Sequence, residues 1–181
     1  LWKEDPKWKI WDKKTELTPS PIPVPQKTVL VTGGAGFIGS NLVKELVAKQ
    51  QRVVVIDDLS SGKKEYLPKE VIFYQADVRD KKIADIFEKE KPSIVYHFAA
   101  RPLVEDAYQN PVEAIDVNVM GTVNILEACR RQGNLESIIV ASSDKAYGKS
   151  PQLPYHENLP LKGDHPYDVS KSSADLIAQT Y

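Results

Sequence analysis

The feature that most constrains this chain is a glycine-rich turn between a short apolar run and a helical pattern. Residues 29–32 read Val-Leu-Val-Thr, and they lead directly into Gly-Gly-Ala-Gly-Phe-Ile-Gly at positions 33–39. Gly33 permits a tight exit from a strand, Gly36 lets a ligand approach the backbone, and Gly39 lets a helix pack on the strand. The start of that helix offers free N–H groups and a positive dipole end. The pattern therefore predicts a turn that binds the pyrophosphate of a dinucleotide.

A carboxylate after the second apolar run supports this interpretation. The sequence Arg-Val-Val-Val-Ile-Asp-Asp at positions 52–58 places Asp57 at the end of a predicted strand, where an acid typically binds the adenosine ribose. Its charge would repel a 2′-phosphate, and no Arg or Lys lies between Gly33 and Lys44 to receive one. The site is therefore expected to take NAD rather than NADP. The alternative is that Asp57 and Asp58 are solvated acids of a turn.

Composition excludes several other classes of protein. A chain of 181 residues, 41% of them hydrophobic, can bury one sizeable core, and a formal net charge of −1 gives no basis for binding nucleic acid or an anionic membrane. The single cysteine, Cys129, cannot form an internal disulfide and is expected to be a buried thiol. No apolar run is long enough to span a membrane, and no secretory signal is visible. We expect a cytoplasmic protein without a metal site.

The first 27 residues differ from the rest of the chain. They contain all three tryptophans, followed by alternating prolines at positions 19–25 that favour extended chain. We predict a tail and spacer over residues 1–27, whose tryptophans either pack on the domain's own surface or dock a partner. Residues 28–181 are predicted to form the domain.

In that domain, short β-rich runs alternate with longer helical patterns, which is typical of a parallel sheet with crossover helices. The prediction is a doubly wound parallel α/β sheet of the Rossmann type. Strands are predicted over 28–32, 52–56, 71–75, 93–97 and 135–141, and helices over 37–50, 80–90, 110–133 and 167–181.

A second motif places Tyr167 and Lys171 four residues apart, on one face of the last predicted helix. A lysine beside the phenol would lower the pKa of the tyrosine, so that it can take a proton from a sugar hydroxyl while hydride leaves the same carbon. This spacing is frequent on ordinary helix surfaces. Behind a dinucleotide-binding turn it predicts a catalytic pair.

Residues 28–181 resemble the extended short-chain dehydrogenase/reductase family, specifically its nucleotide-sugar epimerases and dehydratases. The resemblance rests on the two motifs above and on four more stretches, Asp-Val at 77–78, His-Phe-Ala-Ala at 97–100, Asn-Val-Met-Gly-Thr at 118–122 and Ala-Ser-Ser at 141–143. It implies that Asp77 and Val78 bracket the adenine and that Asn118 stabilises a helix bend beside the nicotinamide. It also implies that Ser143 hydrogen-bonds the reacting hydroxyl. The cofactor-binding residues so predicted are Gly33, Gly36, Phe37, Ile38, Gly39, Asp57, Asp58, Asp77, Val78, Phe98, Ala99, Ala100, Asn118, Tyr167 and Lys171.

Taken alone, three of these residues have simpler explanations. Asp77 could cap a helix, Asn118 could lie on a solvated helix face, and Ser143 could merely end a strand. The joint pattern favours the functional roles.

The reaction is the harder question. Ser143 is followed by Asp144 and Lys145, ionisable residues that resemble those of CDP-glucose 4,6-dehydratases and could protonate a leaving C6 hydroxyl. Stretches 99–104 and 118–123 also resemble that branch, whereas stretches 33–39 and 57–60 resemble the UDP-glucose 4-epimerases. The sequence favours the dehydratase, with Ser143, Asp144, Tyr167 and Lys171 as catalytic residues; the alternatives are the epimerase and, for Asp144, a turn acid paired with Lys145.

The resemblance also implies a part that is missing. Family members exceed this length, and the part that grips the nucleotide sugar follows the helix of Tyr167. We therefore expect a fragment that lacks substrate binding and is inactive by itself, taken from a homodimer. A non-catalytic NAD-binding module is the rival from another class.

Overall fold

The five strands of the described chain form one parallel sheet. The computed structural model describes residues 27–181. The strands are β1 (Thr28–Thr32), β2 (Arg52–Asp57), β3 (Ile72–Gln75), β4 (Ile94–His97) and β5 (Ser137–Val140), in the order β3-β2-β1-β4-β5, and all four neighbouring pairs are parallel. The chain moves outward from β1 to β3 and then returns to the other side of β1. The order therefore reverses between β1 and β4, and ligands of such sheets bind at the carboxyl ends of the strands beside this point.

Helices connect the strands, as the alternating pattern predicts. They are α1 (Phe37–Ala48), α2 (Lys82–Glu90), α3 (Val104–Gln109), α4 (Pro111–Ile115), α5 (Gly121–Gln132) and α6 (Pro166–Ala178). Two single turns of 3-10 helix cover Lys64–Tyr66 and Asp144–Tyr147, and a π-helical turn over Asp116–Met120 joins α4 to α5. The long helix predicted over 110–133 is thus divided by the π turn, and α3 is absent from the sequence prediction.

Both faces of the sheet are covered. Alternate residues of a strand point to opposite faces, so Leu30 and Val95 pack with α2 and α5, whereas Val29 and Val31 pack with α1. Cys129 lies in the first of these cores, and burial raises the pKa of its thiol to about 12. The predicted parallel sheet and the predicted buried thiol are confirmed.

The predicted tail and the membrane prediction have different outcomes. The tail predicted over residues 1–27 lies outside the described residues, except for Lys27, so it stays a prediction. Within residues 27–181, no helix is both long enough and apolar enough to cross a membrane.

Candidate active site

One groove collects most of the predicted residues. It has a volume of about 410 Å³ and lies at the carboxyl ends of the strands, on both sides of the point where the strand order reverses. Its walls include these predicted cofactor residues: Gly33, Gly36, Phe37, Ile38, Gly39, Asp57, Asp58, Asp77, Val78, Phe98, Ala99, Ala100, Tyr167 and Lys171. Three predicted residues, Asn118, Ser143 and Asp144, are not among its lining residues.

The glycine turn has the geometry that its sequence predicts. Gly33 has a φ of +66°, and a Cβ there would lie 2.6 Å from the backbone nitrogen of Ala99. At Gly39 a Cβ would lie 2.2 Å from the carbonyl oxygen of Gly33, so α1 can start against the turn only with glycine. At Gly36 the nearest atom would be that same oxygen at 3.3 Å. Gly36 therefore leaves its backbone open to a ligand, and Gly33 and Gly39 serve the packing of the turn.

Asp57 is built into this turn. Only 7% of the residue is exposed, Oδ2 accepts a hydrogen bond from the backbone nitrogen of Ala35 at 2.9 Å, and Oδ1 accepts one from that of Leu59 at 2.9 Å. Asp58, in contrast, is exposed and accepts from the backbone and the hydroxyl of Ser60. Asp57 is therefore not a solvated acid of a turn, and that alternative is wrong for it. For Asp58, which is exposed and bonded within its own turn, the alternative describes the local geometry.

Asp77 does not cap a helix, because the residue at the N-cap of α2 is Lys81. Its carboxylate instead pairs with Arg79, whose Nη2 lies 2.6 Å from Oδ2. The hydrogen bond from the Arg79 side chain lowers the pKa of Asp77, and burial opposes it. The sequence analysis missed Arg79, although it follows Asp77 and Val78 directly.

Asn118 lies in the π turn and is 2% exposed, so a solvated helix face is ruled out. Its Oδ1 accepts from the backbone nitrogen of Arg101 at 2.7 Å, and its Nδ2 donates to the carbonyl oxygen of Arg101 at 3.2 Å and to the hydroxyl of Ser170 at 2.9 Å. It thereby joins the loop after β4 to α6. Asn118 does not line the groove but holds the backbone of Arg101, which does. Its predicted place beside the nicotinamide stays a prediction.

A chain of hydrogen bonds crosses the sheet beneath the groove. The backbone nitrogen of Ala99 donates to Oγ1 of Thr32 at 3.2 Å, and that oxygen lies 2.7 Å from Nδ1 of His97. Nε2 of His97 lies 3.0 Å from Oγ1 of Thr122, which donates to the carbonyl oxygen of Asn118 at 2.6 Å. This chain connects the loop at residues 98–100 with the π turn. His97 entered the sequence analysis only as part of a motif, and the structure gives it a place of its own.

Tyr167 and Lys171 share the wall of the groove on α6, as their spacing predicts. Nζ of Lys171 donates to the carbonyl oxygen of Ala141 at 2.9 Å, and burial lowers the pKa of Lys171. Burial also raises the pKa of Tyr167, while its hydrogen bond with Ser143 acts in the opposite direction. The pKa of this phenol is thus raised in the structure described, because the phenol is largely buried and the ammonium is bonded to Ala141; the expected effect of Lys171 on it stays a prediction.

Ser143 and Asp144 lie at the edge of this region. Ser143 caps the 3-10 turn by accepting from the backbone nitrogen of Lys145 at 3.2 Å, and it donates to Oδ1 of Asp144 at 3.2 Å. The side chain of Asp144 is 63% exposed, and its Oδ2 lies 4.0 Å from Nζ of Lys145. This geometry is that of a turn acid beside a lysine, and the predicted acid role of Asp144 stays a prediction.

Other lining residues were not predicted, and they flank the predicted ones in sequence. Ser60 and Ser61 follow Asp58, and the remainder include Arg101, Pro102, Ala141 and Ser142. Position next to a recognised motif is the signal that could have found them.

Comparison with known proteins decides the family. Residues 30–181 match the family model described as GDP-mannose 4,6 dehydratase. The chain belongs to this family. The resemblance to nucleotide-sugar epimerases and dehydratases is therefore confirmed.

The similar proteins are mostly named as epimerases. The chain is 36% identical over 151 residues to UDP-glucose 4-epimerase of Lacticaseibacillus casei, covering 83% of this chain and 45% of that protein. Among solved structures, UDP-glucose 4-epimerase of Thermus thermophilus in complex with NAD has a TM-score of 0.80 and 40% identity, over 85% of this chain and 50% of that one. The enzyme of Thermotoga maritima with UDP-glucose has a TM-score of 0.81 and 33% identity, over 84% and 50%. The chain spans about half the length of the curated relatives that it matches.

Proposed function

We propose that this chain is the NAD-binding part of a nucleotide-sugar 4-epimerase of the UDP-glucose type. The observation that carries the proposal is the groove, because the glycine turn, Asp57, Tyr167 and Lys171 all line it. The names of the similar proteins support the epimerase over the CDP-glucose 4,6-dehydratase favoured by the sequence.

The residues of the groove fit NAD. A pyrophosphate can approach Gly36 because only one atom lies within 4 Å of a Cβ placed there, and a side chain would fill that space. Asp57 carries a carboxylate with two backbone bonds already made, so acceptor sites remain for ribose hydroxyls. A 2′-phosphate would meet this negative charge, which favours NAD over NADP. When bound, NAD accepts a hydride from C4 of the sugar and later returns it.

The chain's own residues handle the proton. Tyr167 takes the proton of the C4 hydroxyl. Ser143 holds the same hydroxyl through its own side-chain oxygen, which is within hydrogen-bonding reach of the phenol of Tyr167. Lys171 is 7% exposed, and its Nζ donates to the carbonyl oxygen of Ala141 on the same wall of the groove as Tyr167. We expect its positive charge to favour the phenolate form of Tyr167 when NAD is bound. With NAD as the hydride acceptor, Ser143, Tyr167 and Lys171 would supply the acid–base groups that oxidation and reduction at C4 require.

A dehydratase is the second candidate, and Asp144 is the observation in its favour. Loss of water across C5 and C6 needs a further acid, and Asp144 is next to Ser143. The description of the matching family also names a 4,6-dehydratase. Against it, Asp144 is largely exposed and is not among the lining residues of the groove.

Incubation of the intact protein with UDP-glucose, and separately with CDP-glucose, tests the proposal. We expect UDP-glucose to yield a product of unchanged mass with inverted configuration at C4. A product lighter by one water would establish the dehydratase instead. Tight NAD binding without turnover of either sugar would favour the non-catalytic module.

The predicted homodimer is also part of the proposal. Val112, Met120 and Leu176 expose apolar side chains on adjacent elements, α4, the π turn and α6. A second copy of the chain would bury them. Sedimentation of the intact protein measures the oligomeric state directly.

A further inference from the structure

Three consecutive residues directly after β5 are bonded to one face of α6. The pairs are Ala141 with Lys171, Ser142 with Asp175, and Ser143 with Tyr167. Residues 167, 171 and 175 are four apart in sequence, so their side chains lie one above the other along the helix. The proposed chemistry uses Tyr167 and Lys171. It leaves Asp175, one turn further along the same face, without a role.

The ammonium of Lys171 has little to stabilise its charge. The side chain is buried in the wall of the groove, and its Nζ donates to the carbonyl oxygen of Ala141, which is an uncharged acceptor. A buried ammonium loses its proton more readily than one in water, and burial lowers the pKa of Lys171. Because the proposed reaction needs the charged form, a nearby negative charge would matter at this position.

The carboxylate of Asp175 is held in a fixed orientation beside this ammonium. Its Oδ2 accepts from the hydroxyl of Ser142, and its Oδ1 accepts from Nε2 of Gln179 at 2.8 Å. Each carboxylate oxygen therefore has its own donor. The negative charge of Asp175 raises the pKa of Lys171 and so opposes the effect of burial. Asp175 does not line the groove, whereas Ser142 and Lys171 do, so its effect on a ligand passes through them.

The other titratable groups that face Lys171 supply no negative charge at neutral pH. The charge of Lys171 acts on His97 at the end of β4, and the pKa of His97 is lowered to about 3, so its imidazole is neutral. Tyr167 shares the wall of the groove on α6, and burial raises the pKa of its phenol, which is therefore neutral as well. Asp175 remains as the source of a compensating charge.

We propose that Asp175 is a positioning residue whose carboxylate serves as the counter-charge of Lys171 during the reaction. The inference deepens the proposed function and rests on it. Lys171 favours the phenolate form of Tyr167 only while it is an ammonium. By keeping that form to higher pH, Asp175 extends the pH range in which Tyr167 can take the proton of the C4 hydroxyl. Ser142 keeps the carboxylate in place.

Four variants separate the charge from the hydrogen bond. Asp175→Asn removes the charge and keeps an acceptor oxygen for Ser142, whereas Ser142→Ala removes the hydrogen bond and keeps the charge. Asp175→Glu restores the charge. Glu127→Gln is the matched control, because Glu127 is a carboxylate of α5 that pairs with arginines and does not line the groove.

The first measurement needs no turnover. Carbon–nitrogen correlation NMR of the lysine side chains follows the titration of Lys171 in the intact protein, and Lys171→Arg assigns its signal. We expect Lys171 to lose its proton at a lower pH in Asp175→Asn than in the wild type, and Asp175→Glu to restore the wild-type titration. Glu127→Gln should titrate as the wild type does. An unmoved titration of Lys171 in a folded Asp175→Asn protein would overturn the inference.

Ser142→Ala decides if Asp175→Asn does not fold, as judged by circular dichroism. Without its bond to Ser142 the carboxylate is free to turn toward solvent, so Lys171 should again lose its proton at a lower pH, by a smaller shift. A titration equal to that of the wild type would then overturn the inference.

The second measurement is the pH profile of UDP-glucose turnover by the intact protein. In Asp175→Asn the fall of kcat at high pH should begin at a lower pH, with KM close to that of the wild type. A uniform loss of kcat at every pH, or a shifted titration with an unmoved profile, would show structural support alone and overturn the inference while the proposed function stands. Absence of turnover by the wild type would overturn the proposed function, and the NMR titration would still decide whether Asp175 is the counter-charge of Lys171.

Discussion

Nε2 of His97 donates its proton to the hydroxyl of Thr122, and this bond joins β4 to the first turn of α5. The direction follows from the neighbours: Thr122 uses its own proton on the carbonyl of Asn118, so at 3.0 Å it can only accept from His97. Nδ1 is then the acceptor of the Thr32 hydroxyl. A protonated imidazole would have two donors and could not accept this bond. The network therefore selects the neutral imidazole.

The first prediction concerns stability against pH. Burial, with a smaller effect from the charge of Lys171, lowers the pKa of His97 from 6.5 to about 3 in the folded state. Below pH 6.5 the unfolded chain binds a proton at His97 that the folded chain does not bind. The contribution of His97 to the free energy of unfolding is therefore fully present above pH 6.5 and is lost as the pH falls toward 3. This group alone should lower the free energy of unfolding by about 1.4 kcal/mol per pH unit between about pH 6 and 4.

Urea unfolding at several pH values measures this slope. His97→Gln keeps one donor and one acceptor but cannot titrate, so the difference between wild type and variant isolates His97 from every other group. Parallel curves for the two proteins would contradict the prediction.

Local spacing made part of this structure predictable. Gly33, Gly39 and Asp57 were found because the turn and the strand that follows it are defined by residues close in sequence. The same holds for Tyr167 and Lys171, which need only a helix to share a face.

Other features depend on partners that are distant in sequence. The π turn at 116–120 places Asn118 between the loop after β4 and Ser170, and neither partner is visible in the local pattern. Arg79 also depends on distant partners, since Glu113 and Asp116, two of the three carboxylates to which it donates, lie 34 and 37 residues away. Burial likewise decided the pKa of Tyr167, and spacing could not show it.

The second prediction uses two glycines of the turn as a matched pair. Gly36→Ala adds a Cβ whose nearest contact is 3.3 Å away, so the fold should persist with a change in stability of about 1 kcal/mol or less. The added methyl would lie where the pyrophosphate approaches the backbone, and NAD affinity should fall by about 10-fold or more. Gly39→Ala brings a Cβ to 2.2 Å from backbone and should destabilise the fold itself. Thermal unfolding together with NAD titration distinguishes these effects, and undiminished NAD affinity of a folded Gly36→Ala protein would place the pyrophosphate elsewhere.

The third prediction concerns Tyr167, which is 8% exposed and lines the groove. Tyr167→Phe keeps the ring and removes only the hydroxyl, so folding and NAD binding should be nearly intact. Turnover of the nucleotide sugar by the intact protein should fall by about 10² or more, the usual effect of losing a positioned acid–base group. Ser143→Ala should lower turnover less, because it removes a hydrogen bond to the reacting hydroxyl and leaves the base in place. A Tyr167→Phe protein with turnover close to that of the wild type would remove Tyr167 from the chemistry.

The last prediction separates the two reactions at one residue. Asp144 lies beside Ser143 with its side chain 63% exposed, in contact range of Lys145. If the protein is the proposed epimerase, Asp144→Asn keeps the size of the side chain and changes only an exposed charge, so inversion at C4 should continue at nearly the wild-type rate. In a dehydratase, where Asp144 would protonate the departing C6 hydroxyl, the amide could not deliver that proton, and a 4-keto hexose that has not lost water would accumulate.

Lys145→Gln is the companion variant, because it removes the other charge of the turn without touching the candidate acid. Mass spectrometry of the sugar products, together with their configuration at C4, therefore decides between the two reactions. Unchanged mass and inversion at C4 in the wild type and in both variants would support the epimerase. Loss of one water in the wild type and in Lys145→Gln, but not in Asp144→Asn, would reject it.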